Sequence, residues 1–224
     1  MKKVILLLGI ALIYGCSSSS DGNGNSTDTY ETVQICNQAW MKINLNVTKY
    51  RNGDIIPQVT DATQWENLTT GAWCYYDNDP AKGAIYGKLY NWYAVNDPRG
   101  LAPVGFHIPS NAEWTTLTTC LGGTAAAGAK MKEIGDFHWL SPNQDATNSS
   151  GFTALPGGFR EYDDLFTFEF AFIGIRASGT WWSSSDSSTT NAHYRYLNYV
   201  PGYVICDCSN GKKINGYSVR CIKN

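Results

Sequence analysis

Residues 105–123 read GFHIPSNAEWTTLTTCLGG, and this stretch does most to set the fold class. Ser110 and Glu113 stand three apart just ahead of an apolar series, which is the spacing of a capping box. In that motif the serine hydroxyl accepts a backbone N–H of the first turn and the glutamate reaches back to the serine's own amide. Trp114, Leu117 and Leu121 follow at i, i+3 and i+7, so a helix would carry them on one face, and Gly122-Gly123 would end it. A helix with such a stripe needs a partner surface, and the rest of the chain must supply it.

Working outward, residues 124–134 are alanine-rich, with Met131 and Ile134 as anchors, and predict a second helix closed by Gly135. Upstream, Thr63-Gln64-Trp65-Glu66 repeats the capping-box spacing, with Trp65 and Leu68 on its buried face. Residues 86–95 are dense in aromatics and predict another short helix with Leu89, Trp92 and Tyr93 inward. Residues 32–35 and 39–41 are β-like runs that predict an edge hairpin turning at Asn37-Gln38. From Gly151 onward the chain changes to glycine, aromatic and β-branched residues in short runs. Residues 166–175, 180–182, 194–197, 203–205 and 217–222 are the strand candidates. Helices in the first half and strands in the second predict an α+β domain of short helices, short antiparallel strands and long loops.

The start of the chain has a different character. Lys2 and Lys3 precede an apolar run from Val4 to Ile13, within the roughly 7–15 residues of a signal-peptide core and well short of the ~20 a membrane span needs. Ile13-Tyr14-Gly15-Cys16 resembles a lipobox, so residues 1–15 are expected to be a cleaved leader and Cys16 the lipidated first residue. Residues 16–31 continue with serine, glycine, asparagine and aspartate, a composition that cannot offset its ordering entropy and so predicts a flexible spacer. Asp21 soon after the cysteine is similar to surface-export signals of Bacteroidetes lipoproteins. The expected address is the outer membrane or cell surface, with the membrane as a partner through the lipid.

Of the 224 residues, 43% are hydrophobic, and residues 32–224 suffice for one sizeable core rather than two. The 17 basic against 19 acidic residues become 15 against 19 once Lys2 and Lys3 leave, a balance that argues against nucleic acid as a partner. Charged residues make up only 16% while aromatics reach 13%, with 8 Trp, 14 Tyr and 22 Gly, a mix that suits a loop-rich extracellular fold. Setting Cys16 aside from the 7 cysteines leaves Cys36, Cys74, Cys120, Cys206, Cys208 and Cys221, which can pair fully in an oxidising compartment.

Six segments then carry a resemblance: QAWMKINLNVTKYRNGDIIP, GAWCYYDND, YGKLYNWYAVNDPRGLAPVGFHIPSNAEW, GFTALPGGFR, WWSSS and GYSVRCIKN. Long, ordered and spread over nearly the whole domain, they resemble the Fibrobacter succinogenes major paralogous domain, a family of secreted bacterial lipoproteins. That family is in turn similar to the formylglycine-generating enzymes. Residues 105–114 resemble their G-x-R-L-P-T-E-A-E-W motif, with His107 where that motif has arginine, and residues 218–221 lie near their G-F-R ending. The resemblance implies a compact C-type-lectin-like domain with its ends close together. Cys74 and Cys221 lie in the best-matching cysteine segments, so a bridge between them is expected; Cys36 and Cys120 are the second candidate pair.

Such an oxidase holds copper on two cysteines. Cys206 and Cys208 are the closely spaced pair, and on a strand i and i+2 face one way, so both thiolates could meet one soft ion. Neither cysteine sits in a match to the enzymes' cysteine motif, so disulfides or unpaired thiols are the expected state of the pair. A lectin-like fold also raises calcium: Asp77 and Asp79, and Glu161, Asp163 and Asp164, bring hard oxygens into loops. Turn formation by Asp and Asn explains both clusters without an ion, and no other cofactor is indicated. His107, His138 and His193 lack metal-ligand spacing, and no nucleophile elbow surrounds Ser183. Trp182, Tyr194, Tyr196, Tyr199 and Tyr203 are the candidates for a platform on which sugar rings stack. The expected function is therefore non-catalytic binding or adhesion, to polysaccharide or an envelope component. The alternatives are a divergent oxidase using Cys206 and Cys208 and a purely structural envelope protein.

Overall fold

The computed structural model describes residues 30–163, 169–200 and 204–224, with backbone alone for 204–207. The leader, Cys16, most of the spacer, Asp164 and Tyr203 lie outside the described residues, as does the Cys206 side chain. The chain begins with the expected hairpin, β1 (Thr32–Ile35) against β2 (Gln38–Met41), turning at Cys36 and Asn37 where Cys36 takes a φ of 53°. Helix α1 (Ala62–Glu66) is capped by Asp61, whose carboxylate accepts the Gln64 amide at 2.8 Å. The Thr63-to-Glu66 capping box is thus corrected: Asp61, two residues earlier, takes the cap, and Thr63 lies inside the helix.

The aromatic stretch at 86–95 is not one helix. It is divided among the end of α2 (Pro80–Tyr86), a two-residue strand β4 (Leu89–Tyr90) paired with β3 (Trp73–Cys74), and α3 (Trp92–Val95). Gly87, at φ 80°, ends α2, and the Asn91 side chain caps α3 by accepting the Ala94 amide at 3.1 Å. Next come β5 (Phe106–His107), α4 (Asn111–Cys120) and α5 (Thr124–Met131). The capping box is present on α4, with Glu113 accepting the Ser110 amide at 2.8 Å and Ser110 accepting the Glu113 amide at 3.3 Å. Helix α5 stops at Met131, because Lys132 turns extended and pairs beside Ala154. Ile134 is consequently 64% exposed and does not anchor the helix.

The second half supplies β6 (Gly157–Tyr162), β7 (Phe170–Ile175), β8 (Ser178–Asp186), β9 (Asn191–Asn198), β10 (Val204–Lys212) and β11 (Ile222–Lys223). Strand β6 falls in a stretch that the sequence did not mark, and of 217–222 only Ile222 lies in a strand, Tyr217 and Ser218 making isolated bridges. The order β10-β9-β8-β6-β7 forms a five-stranded sheet, antiparallel except for the single β6–β8 pairing at Gly158 and Gly179. Strands β1-β2-β11-β5 form another, so the first and last described strands share a sheet, with Ile222 opposite Trp40. The chain is an α+β fold. Among the described residues, no helix is long and apolar enough to cross a membrane.

Residues 216–218 tie the layers together. Gly216 exchanges backbone hydrogen bonds with Arg160 on β6, Tyr217 with Tyr90 on β4, and Ser218 with Thr180 and Trp182 on β8. The α4 stripe finds its partner here: Trp114 lies 4.6 Å from Trp40 and 6.0 Å from Phe152, ring centre to ring centre, all three fully buried. Burial on that scale contributes roughly 1.5–3 kcal/mol per large side chain. Cys36 and Cys120 form a disulfide, Cα atoms 6.7 Å apart, that clips the hairpin turn to the end of α4.

The expected Cys74–Cys221 bridge is absent: both are free, buried thiols. Cys74 packs in the apolar cluster around Trp65 and Leu89, whereas Cys221 belongs to the separate cluster of Met41, Tyr90 and Val219. Burial pushes both thiols up from 9.0 to about 12, so they stay protonated.

Candidate functional site

Where β6, β9, β10 and the loop returning to β11 meet, a cavity of about 330 Å³ is lined by Glu161, Tyr162, Tyr194, Asn210, Lys212, Asn215 and Tyr217. Its back wall is a stack of rings. Tyr194 lies 5.0 Å from Tyr217, and Tyr217 lies 4.2 Å from Trp182. Gly211 allows this approach, since a Cβ there would come within 2.8 Å of both the Trp182 and Tyr194 rings. The Trp182 indole N–H donates to the Tyr90 carbonyl at 2.8 Å, which fixes the innermost ring.

The polar half is as ordered. Glu161 Oε2 accepts from the Tyr217 hydroxyl at 3.1 Å and the Asn215 amide at 3.2 Å, and that amide also reaches the Tyr217 oxygen at 2.9 Å. Asn215 is only 4% exposed, and its Oδ1 has no hydrogen-bond partner among the described residues. That oxygen is itself buried, so Asn215 serves the cavity through its amide, which holds Glu161 and Tyr217 in place. The Tyr194 hydroxyl donates to Asn210 Oδ1 at 3.4 Å. Burial first, then the Glu161 carboxylate, raises the pKa of Tyr217 well above that of a free phenol, and the same two causes raise that of Tyr194. Both hydroxyls therefore remain donors at neutral pH. The arrangement offers ring faces, a carboxylate, amides and an ammonium side by side, which is what orienting a polyhydroxylated ligand requires.

The structure sorts the sequence candidates. Tyr194 lines the cavity. Trp182 is corrected: it is fully buried beneath Tyr217 and supports the wall without facing solvent. Tyr196 and Tyr199 are half-buried on the neighbouring surface; Tyr196 accepts from Asn198 at 2.8 Å, and Tyr199 packs toward the Trp40 and Trp114 cluster. Glu161, weighed as a calcium ligand, belongs to this cavity. Tyr162, Asn210, Lys212, Asn215 and Tyr217 were missed. The one signal for them was the polar run NGKKING at 210–216, amides and glycines leading into a tyrosine, the makeup of a binding loop.

The metal candidates fare differently. Asp79 caps α2 by accepting the Ala81 amide at 2.8 Å, and Asp77 pairs with Lys82. Among the described residues, no three His, Cys, Asp or Glu side chains gather to hold an ion. Copper on Cys206 and Cys208 needs two thiolates, and Cys208 is disulfide-bonded. His107 hydrogen-bonds Glu113 and Asn224, each at 2.8 Å, joining the α4 cap to the C-terminus. His138 lies 2.8 Å from Glu133.

A second cavity of about 380 Å³ lies by Tyr30, Lys49, Arg51 and Val104. Its Arg51 is committed to the carbonyls of Ala102 and Phe106 at 2.9 and 3.2 Å, which leaves a less varied set of groups there.

No curated protein and no solved structure matches the chain. The sequence model described as the Fibrobacter succinogenes major domain matches residues 33–223, nearly all of the described structure, and the chain belongs to that family.

Proposed function

We propose that this chain is a surface-displayed lipoprotein, held on the outer membrane by a lipid on Cys16, whose domain binds polysaccharide without altering it. The observation that carries the binding is the meeting of the Tyr194 and Tyr217 rings with Glu161, Asn210, Asn215 and Lys212 in one cavity. Rings supply faces for sugar C–H groups, while the carboxylate and the Asn210 amide oxygen accept hydroxyl protons. A non-catalytic role is supported by the acid–base count. Glycoside hydrolysis uses two carboxyl groups about 5–9.5 Å apart, and Glu161 is the one carboxylate among the described residues lining this cavity. The sharing of one sheet by the first and last described strands supports a C-type-lectin-like version of the α+β fold.

The full-length protein on an array of bacterial and plant polysaccharides tests this. Binding is expected, with Tyr194→Ala and Glu161→Gln each weakening it roughly tenfold, about 1.4 kcal/mol. An array without signal sinks the reading. The address is tested separately: Cys16→Ser should lose labelled fatty acid and leave the membrane fraction, and protease added to intact cells should remove the domain.

Packing into a larger surface assembly is the second reading. Phe137 at 83% and Ile134 at 64% exposure favour it, since they place large apolar groups in water on one loop. Phe137→Ser should then reduce recovery of the protein in isolated envelope assemblies and leave glycan affinity unchanged.

A further inference from the structure

Lys212 is a wall of two cavities. Beyond the one holding Tyr194 lies another of about 640 Å³, whose lining includes Glu66, Tyr93, Thr190, Asn191, Lys213 and Lys212 itself. Strand β9 runs along both: Asn191 lines the larger cavity and Tyr194 the smaller. Three residues of strand span about 10 Å, farther than one six-membered sugar ring reaches. The two spaces adjoin at Lys212, the one lining residue they share, with the wider space at Tyr93 and the ring-walled one at Tyr194.

Charge across the two spaces is balanced. Glu161 and Lys212 face the smaller cavity, and Glu66 stands with Lys212 and Lys213 in the larger one. Lys213 is turned inward, its Nζ 4.4 Å from the Trp92 ring and 3.7 Å from Asp186, so much of its charge is already answered. A polyanion would gain little from such a lining and would meet two carboxylates. Hydroxyl and amide groups would find both donors and acceptors along its whole length.

Building on the polysaccharide reading above, we propose that the ligand is a neutral glycan chain of at least two sugar units, lying across Lys212. One unit stacks on Tyr194 and offers hydroxyl donors to Glu161 and Asn210. The next unit continues against Tyr93, Thr190 and Asn191. The geometry makes the Tyr194 end the primary anchor and the Tyr93 end an extension available only to longer chains.

The test takes a neutral glycan that scores on the array and cuts it to one, two and four units, titrated calorimetrically into the full-length protein. Affinity is expected to rise at least tenfold from one unit to four. Tyr93→Ala should weaken the four-unit ligand by roughly tenfold and leave the one-unit ligand unchanged, whereas Tyr194→Ala should weaken both. Raising the salt from 50 to 500 mM should leave the four-unit affinity within about twofold. Equal affinity at all lengths, or a Tyr93→Ala variant that binds like the parent, overturns the extended site while the single-cavity reading stands. A steep loss with salt, or preference for acidic over neutral glycans, overturns the neutral assignment. Absence of any glycan binding removes the single-cavity reading and this one with it.

Discussion

Asn44 is one side chain on which much of the interior depends. Its Oδ1 accepts from Arg220 Nε at 3.1 Å, Arg220 Nη2 at 2.9 Å and Trp181 Nε1 at 2.8 Å, and its own amide donates to the Tyr86 carbonyl at 2.9 Å. Arg220 is 1% exposed, stacked 4.1 Å over Phe152, and burial pulls its guanidinium down to about 9. A buried cation answered by a neutral amide and a carbonyl is held only by hydrogen bonds, and losing those costs more than losing an ordinary contact. Asn44→Ala should therefore lower unfolding free energy by about 3 kcal/mol, read from the urea midpoint. A loss below ~1 kcal/mol would mean water or another acceptor replaces it. Gly211 tests the site at the same scale. Because a Cβ there would collide with the Trp182 and Tyr194 rings, Gly211→Ala should displace the cavity wall and weaken glycan binding several-fold, read by titration calorimetry.

At the scale of elements, α4 was legible because its signals are local: a serine, a glutamate three residues on, and an apolar stripe fix its start and its buried face without help from the rest of the chain. Ser110→Ala should cost about 1 kcal/mol by removing the cap, and circular dichroism melts measure it. The stretch at 86–95 was misread for the opposite reason. Aromatic density fits helix or strand alike, and only the Gly87 turn and the Asn91 cap divide it. The site was half legible. Tyr194 lies on a strand whose alternation could be read, but Asn215 and Tyr217 are positioned by bridges to Arg160 and Tyr90, more than 50 residues away, which no local pattern reveals. Pairing of cysteines is likewise non-local, and the Cys36–Cys120 bond joins residues 84 apart. On the chain-entropy account a loop of that size stabilises the fold by roughly 4 kcal/mol. The Cys36→Ser/Cys120→Ser double variant should lose about that much by calorimetry, and an unchanged transition would refute it.

The whole molecule answers pH through groups whose burial outweighs any nearby charge. Lys132 donates to the carbonyls of Gln144, Asn198 and Tyr199 at 2.8, 3.3 and 3.4 Å, and Lys88 lies 4.6 and 4.9 Å from the Trp73 and Tyr75 rings. Burial pulls both ammonium groups from 10.5 down to about 8. Between those values the native state binds fewer protons than the unfolded one, so stability rises with pH and is lost again as pH falls through about 8. Cys74 and Cys221 act in the other direction. Their folded values of about 12 exceed the ordinary 9.0, so the stability they contribute is complete below about 9 and drains away toward 12. Tyr50, raised by burial from 10.0 to about 12, adds to that loss. The two lysines begin to titrate before the thiols do, and Arg220, pulled down to about 9, adds to the gain above that pH. Urea unfolding should therefore show stability climbing from about pH 7.5 to 9 and then flattening before it turns down as the thiols and Tyr50 ionise. Cys74→Ala/Cys221→Ala, though less stable throughout, should keep climbing past the point where the parent turns. A parent that weakens steadily from pH 7.5 would mean the lysines are not desolvated in the native state, and a double variant with the parent's turnover would clear the thiols of causing it.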